Sequence, residues 1–96
     1  MTEQDRLAML KIDLKVSSTG YDTRLTQYLN AAEKAIIAEG AATLDSTKLD
    51  DAQLVVMKAA YEWRVNRHEA TADMYRALRR ALNNRIFSEK MKTSEG

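Results

Sequence analysis

The chain has 96 residues, no cysteine, no proline and a formal net charge of +1. A chain of this length forms a single domain, the lack of cysteine excludes disulfides and thiolate metal sites, and no apolar run approaches the roughly 20 residues that span a bilayer. Residues 1–6 carry acidic side chains where a secretory signal is basic, so we expect a cytoplasmic protein that makes no membrane contact.

Charge is unevenly divided along the chain. Residues 1–57 carry six Lys/Arg against nine Asp/Glu, a net charge of −3, whereas residues 58–96 carry nine against five, a net charge of +4. This asymmetry suits head-to-tail contact between copies, or a basic surface that faces nucleic acid. A solvated surface of mixed charge explains such a distribution equally well.

The first apolar segment fits two patterns. Leu10, Ile12 and Leu14 alternate with charged residues, as in a strand, whereas Leu7, Leu10 and Leu14 form one helical stripe. Because no second strand is available for pairing, we predict a helix that ends near Leu14.

A polar turn at residues 17–20 precedes the clearest amphipathic helix, for which Thr19 is the expected N-cap. Apolar side chains recur at helical spacing on one face of this helix: Tyr21, Leu25, Tyr28, Leu29, Ala32 and Ile36. Gly40 stands where a left-handed residue ends a helix. Residues 41–48 are predicted to form a loop.

A third helix is predicted over residues 51–66, capped by Thr47 or by Asp50, which with Gln53 resembles a capping box. This helix is apolar on two faces, one made of Leu54, Met57, Tyr61 and Val65 and the other of Val56, Ala59, Ala60 and Trp63. A helix that is apolar on two faces lies at the centre of a bundle. We therefore assign the aromatic residues Tyr61 and Trp63 to the core.

Thr71 is the expected cap of a fourth helix. The inner face of that helix carries Met74, Leu78, Ala81, Leu82 and Ile86. The last segment, residues 88–96, is short and polar and is predicted to be a mobile tail. The sequence thus predicts an all-α protein, a small bundle of about four helices over residues 1–87 with a central buried third helix and a flexible C-terminal tail.

Motifs for catalysis or metal binding are not found in the sequence. The single histidine, His68, is followed by Glu69 as in zinc-protease helices, but Ala72 occupies the position of the second histidine. Neither a Gly-rich phosphate loop nor a nucleophile motif is present. We expect no enzyme activity, no metal and no cofactor.

The outward side of the fourth helix is the main candidate for an interaction site. Its candidate residues are Arg76, Arg79, Arg80, Asn83, Arg85 and Phe87. Guanidinium groups on successive turns can follow a phosphate backbone or bind the carboxylates of a partner, and an exposed phenylalanine beside arginines is typical of a protein interface. A solvated helix face is the simpler explanation for arginines in this arrangement.

Several stretches of sequence, taken in order, carry a family resemblance. They are the opening segment MLKIDL (residues 9–14), the central segments QLVV (53–56) and AYEWR (60–64), and the closing string ALNNRIF (81–87). In this order they resemble the head-tail connector, or adaptor, proteins of long-tailed bacteriophages, over roughly residues 7–87. The connection between the last two helices, residues 66–74, is shorter than that family leads one to expect.

The resemblance implies a structural virion protein. Such subunits assemble as a ring, typically dodecameric, beneath the portal protein, where they extend the DNA channel and dock a stopper or tail-completion protein. The implied location is the virion neck, with the host cytoplasm as the site of assembly. The basic face would contact either the DNA in the channel, without sequence preference, or an acidic protein surface. We favour the protein contact, because a basic channel lining would hinder DNA release.

The alternative function is that of a small helical nucleic-acid-binding protein, a regulator or a DNA-packaging recognition subunit, that reads DNA with its fourth helix. The near-neutral net charge and the lack of a glycine turn between the last two helices weigh against it. A second alternative is a generic helical assembly module of bacterial origin, whose partners are unrelated to virions.

Overall fold

The computed structural model describes residues 1–95, with side chains as far as Lys92. This part of the chain contains the helices α1 (Glu3–Leu14), α2 (Asp22–Glu39), α3 (Leu49–Asn66) and α4 (Ala72–Glu95), with a 3₁₀ turn, Thr19–Tyr21, before α2. No strand occurs among the described residues. The predicted all-α class, with four helices, is confirmed.

Helix α1 begins with a capping box. The side chain of Thr2 accepts a hydrogen bond from the Asp5 backbone N–H, and the Asp5 carboxylate accepts one from the Thr2 N–H. Leu10 is fully buried whereas Ile12 is exposed, so the alternating strand pattern at these positions does not describe the fold. The predicted helix, ending at Leu14, is confirmed.

Two of the predicted helix caps are wrong. Thr19 belongs to the 3₁₀ turn, which Ser18 caps by accepting a hydrogen bond from the Gly20 N–H, and α2 has no side-chain cap of its own. Helix α3 starts two residues earlier than predicted, at Leu49, so that Asp50 lies inside its first turn and no side chain caps it. Thr47 instead donates its hydroxyl hydrogen bond to the neighbouring Asp45.

Helix α2 ends at Gly40, as predicted. Gly40 has φ 138°, a backbone conformation that side chains with a Cβ rarely adopt. A Cβ at this position would also lie 3.3 Å from Cγ2 of Ile86, because α4 crosses close to the end of α2. Gly40 therefore both ends the helix and allows the close approach of α4.

Helix α3 is the centre of the bundle. The helices α1, α2 and α4 all pack on it, and α1 also packs on α2. Trp63 is buried beside Tyr21 and Tyr28, whose rings approach it edge-on at centroid distances of 5.7 and 5.5 Å. The predicted central helix is confirmed, and α4 is the one long helix that packs mainly on α3 alone.

Helix α4 is longer than predicted. Thr71 caps it as expected, accepting a hydrogen bond from the Met74 N–H at 3.2 Å. The helix then runs to Glu95, through the segment expected to be a mobile tail, and Glu89 within that segment is buried. The helix therefore continues through residues 88–95, which the sequence assigned to a tail, and the buried side chain of Glu89 lies within this stretch; residue 96 lies outside the described residues.

None of the described helices is long and apolar enough to cross a membrane.

Candidate interaction surface

One side of α4 packs on α3 and the other side faces solvent. Leu78 and Leu82 are buried, and the ring of Tyr75 lies 5.9 Å from that of Tyr61 on α3. At about 100° per residue, the side opposite Leu82 holds a stripe of exposed residues. We call this stripe the outer face of α4; it consists of Arg76, Arg80, Asn83, Asn84, Phe87 and Met91.

The predicted arginines differ in their ion pairing. Arg76 pairs with Asp73 one turn earlier, on the exposed surface. Arg79 reaches Glu39 at the end of α2, at 3.1 Å, and donates a hydrogen bond to the Asn83 side chain at 2.9 Å. Pairs this exposed contribute little to stability. These ion pairs nevertheless neutralise much of the positive charge that we predicted to be available to a partner.

Arg80 differs from these two. Its side chain is exposed, and within the part of the chain that the structure describes it forms no hydrogen bond or ion pair. It is therefore the cation of the outer face that is most available to a partner.

Arg85 does not belong to the outer face. Its guanidinium points toward α3 and is only 14% exposed; it lies 2.9 Å from Asp51 and 3.2 Å from Glu89, and it donates a further hydrogen bond to the Thr43 hydroxyl. We call these four residues the Arg85 cluster. The inclusion of Arg85 among interface candidates is a misassignment, since its hydrogen-bonding groups are taken up inside the molecule.

The Arg85 cluster shifts the protonation equilibria of its members. Burial opposes ionisation of Asp51, but hydrogen bonds from the Arg85 side chain and the Asp45 backbone N–H outweigh it and lower the pKa of the carboxyl. The pKa of Glu89 is lowered by the Thr43 hydroxyl and backbone N–H, which donate at 2.7 and 2.8 Å, and further by Arg85. The hydrogen bond to Asp51 raises the pKa of Arg85. The cluster is thus charged and ties the second half of α4 to the first turn of α3, through Asp51, and to the α2–α3 loop, through Thr43.

Phe87 is where the sequence predicted it, on the outer face and 64% exposed. Met91, one turn further along the helix, is 46% exposed. The pair forms an apolar ridge, with the cations Arg80 and Lys90 on the same exposed side of the helix. Sequence reasoning missed Met91, because the helix was expected to end before it.

An apolar groove between α1 and α3 was not predicted. Its volume is about 420 Å³, and its lining residues are Met9, Ile12, Asp13, Gln53, Val56 and Met57. We call it the α1–α3 groove. Ile12 at its edge is 78% exposed, the largest exposed fraction among the bulky apolar side chains of the described chain. The sequence feature that could have indicated the groove is Ile12, an isoleucine that lies outside the helical stripe of Leu7, Leu10 and Leu14.

A second hollow of about 410 Å³ lies next to this groove, between α3 and α4. It shares Gln53 and Met57 with the α1–α3 groove and has Asp50 at its edge. An open, largely apolar surface therefore crosses α3 from α1 to α4.

The remaining sequence candidate, His68, is exposed in the turn between α3 and α4 and has a left-handed backbone with φ 59°. Among the described residues, no group of three or more His, Cys, Asp or Glu side chains is placed to hold a metal ion.

The chain matched none of the protein-family models, curated proteins or solved structures with which it was compared.

Proposed function

We propose that this chain is a structural assembly subunit, a head-tail connector of a tailed bacteriophage that forms a ring below the portal protein. In that position the ring extends the DNA channel and docks the next neck protein, a stopper or tail-completion protein. One observation carries the proposal: the outer face of α4 exposes Phe87 and Met91 beside Arg80, without a partner in the described chain. Apolar anchors beside arginine are typical of protein interfaces.

The sequence supports the same proposal independently. The order of the opening, central and closing segments resembles the connector family, and the closing string at residues 81–87 lies on the helix that carries the exposed ridge. An assembly subunit needs exposed faces that a neighbour completes, and the outer face of α4 and the α1–α3 groove are two such exposed surfaces.

The ion pairing on α4 favours a protein partner over DNA. A helix that follows a phosphate backbone needs several cations that are free to neutralise phosphates. Here Arg76 and Arg79 are paired with carboxylates, and Arg85 is enclosed in its cluster. Arg80 remains on the outer face, where Phe87 and Met91 would meet an apolar surface more favourably than a phosphate backbone.

The test is affinity capture of the tagged chain from cells that produce the phage encoding it, with captured proteins and nucleic acid identified. The wild-type chain is expected to retain portal and neck proteins. The double variant Arg80→Glu with Phe87→Asp should lose them, whereas Lys34→Glu, an exposed charge reversal on α2, should keep them. Circular dichroism confirms that each variant is folded.

Capture of DNA alone, released by raising the salt concentration, would overturn the connector proposal in favour of the nucleic-acid-binding alternative. If the double variant captures portal and neck proteins at the wild-type level, the outer face of α4 is not the surface that the proposed connector uses.

A further inference from the structure

We propose that the apolar ridge of Phe87 and Met91 docks in the α1–α3 groove of a second copy of this chain. This deepens the proposed function and rests on it, because ring formation requires that copies meet head to tail. The contact is heterologous, since ridge and groove lie on different elements of the subunit. Each copy gives a ridge to one neighbour and receives a ridge from the other, a head-to-tail contact that forms a ring when the rotation between successive copies closes.

The dimensions of ridge and groove agree. Phe87 and Met91 are four residues apart on α4, so they stand about 6 Å apart along the helix axis. The groove is built from one turn of α1, Met9 to Asp13, and one turn of α3, Gln53 to Met57, and therefore has the same length. Two side chains that stand one turn apart on a helix, such as Phe87 and Met91, fit along it.

The chain cannot fill its own groove with this ridge. Phe87 lies on the side of α4 opposite Leu82, which is buried against the core. Turning Phe87 toward the groove would expose Leu82 and break the contacts that Arg85 makes with Asp51 and Thr43. A ridge that docks in the groove therefore belongs to another copy of the chain.

Charge selects a second copy as that occupant. The groove has Asp13 at its rim, half exposed and 3.6 Å from Arg64, and the adjoining hollow has the exposed Asp50. The ridge shares its side of α4 with Arg80 and Lys90. Because Asp13 is already paired with Arg64, the complementary charges that have no ion pair in the described chain include Asp50 beside the groove and Arg80 beside the ridge. Complementary charges bring the two surfaces together and fix their register.

The contact is weak between free copies. A phenylalanine buries about 150–250 Å², whereas a stable interface buries about 800 Å² on each partner. The two anchors and their charged flanks fall short of that area. Copies are therefore expected to associate firmly only when a template holds several of them together, and a trapping experiment suits the contact better than a measurement of molecular mass.

Cysteine crosslinking provides the trap, since the chain has no natural cysteine. Purified Ile12→Cys and Met91→Cys chains of different mass are mixed and oxidised. The control pairs Met91→Cys with Lys34→Cys, an exposed position on α2 far from the groove residues in sequence. We expect about tenfold more heterodimer from the groove pair than from the control, the ratio that corresponds to about 1.4 kcal/mol of contact.

A further substitution tests the anchor. Adding Phe87→Asp to the Met91→Cys chain should reduce the heterodimer yield to the control level. Adding Asn30→Asp, at an exposed position of α2, should leave the yield unchanged. A chain that carries both Ile12→Cys and Met91→Cys should yield a ladder of oligomers.

Three results would overturn the inference: a heterodimer yield equal to the control, a yield unaffected by Phe87→Asp, or a predominance of disulfide-linked homodimers of the Met91→Cys chain or of the Ile12→Cys chain. The purified chain is used, so the outcome is separate from that of the portal capture. If the portal protein is captured but the crosslink does not form, the ridge–groove interface is wrong and the connector proposal stands. If the crosslink forms but the portal protein is not captured, the interface stands and the connector proposal is wrong.

Discussion

Removal of the Arg85 guanidinium is expected to destabilise the fold more than any other change of an arginine on α4. Arg85→Met keeps most of the aliphatic stem and deletes the charge. The guanidinium lies 2.9 Å from Asp51 and 3.2 Å from Glu89, whose side chains are only 13% and 10% exposed. After the substitution these two carboxylates stay together in the same place without their cation.

The size of the effect follows from what the carboxylates retain. Removing one member of a buried ion pair costs about 3–5 kcal/mol when its partner is left uncompensated. Here Asp51 still accepts a hydrogen bond from the Asp45 N–H, and Glu89 still accepts those of Thr43. We therefore expect a loss of about 2–3 kcal/mol, which lowers the Tm by roughly 10–20 °C for a domain of this size.

Urea unfolding followed by the fluorescence of Trp63, the single tryptophan, measures the loss. Arg80→Met is the matched control, because Arg80 lies on the same helix, is exposed and has no ion pair in the described chain; its effect should stay within about 0.5 kcal/mol. Equal free energies of unfolding for the two variants would refute the reasoning that Arg85 holds α4 to the α2–α3 loop.

Three further outcomes are expected. The folded-state pKa values of both carboxylates in the Arg85 cluster lie below their ordinary values of 3.8 and 4.5, so their stabilising effect is complete above about pH 5 and is lost as the pH falls through the lowered values. Urea unfolding between pH 6 and 2.5 checks this. A free energy of unfolding that does not change over this range contradicts it. Gly40→Ala should cost about 1–3 kcal/mol, owing to its φ of 138° and the nearby α4, whereas Gly20→Ala, at a turn without positive φ, should cost far less. Leu10→Ala should cost about 2–5 kcal/mol, and Ile12→Ala on the same helix close to nothing, by thermal unfolding.

The local patterns of the sequence were sufficient to predict that four helices form and which of their faces are buried, although not every helix end. The helical stripe of α2 and the two apolar faces of α3 predicted their positions, because burial of an amphipathic face is the main determinant of a helix in a bundle. Gly40 and Thr71 were predictable as helix ends, since each acts on backbone within one turn of itself.

The features that were missed depend on partners distant in sequence. Glu89 looked like part of a polar tail, yet Thr43, 46 residues away, supplies two of its hydrogen bonds and α4 continues through it. Arg85 looked like one more surface arginine, and only the fold brings Asp51 to it. The α1–α3 groove likewise exists only once two helices are side by side. Such contacts have no local signature, so periodicity and capping rules could not predict them.

The peripheral place of α4 sets the order in which the molecule opens. Helices α1, α2 and α3 pack on one another, whereas α4 rests mainly on α3. Its detachment leaves a three-helix unit in place and needs less free energy than complete unfolding, so amide hydrogens of α4 should exchange with solvent before those of α3. The helix that presents the ridge is therefore expected to exchange its amide hydrogens before the central helix α3. A neighbour that binds the ridge stabilises α4 by an amount that rises with the logarithm of its concentration divided by its Kd. Amide exchange in this helix therefore measures assembly.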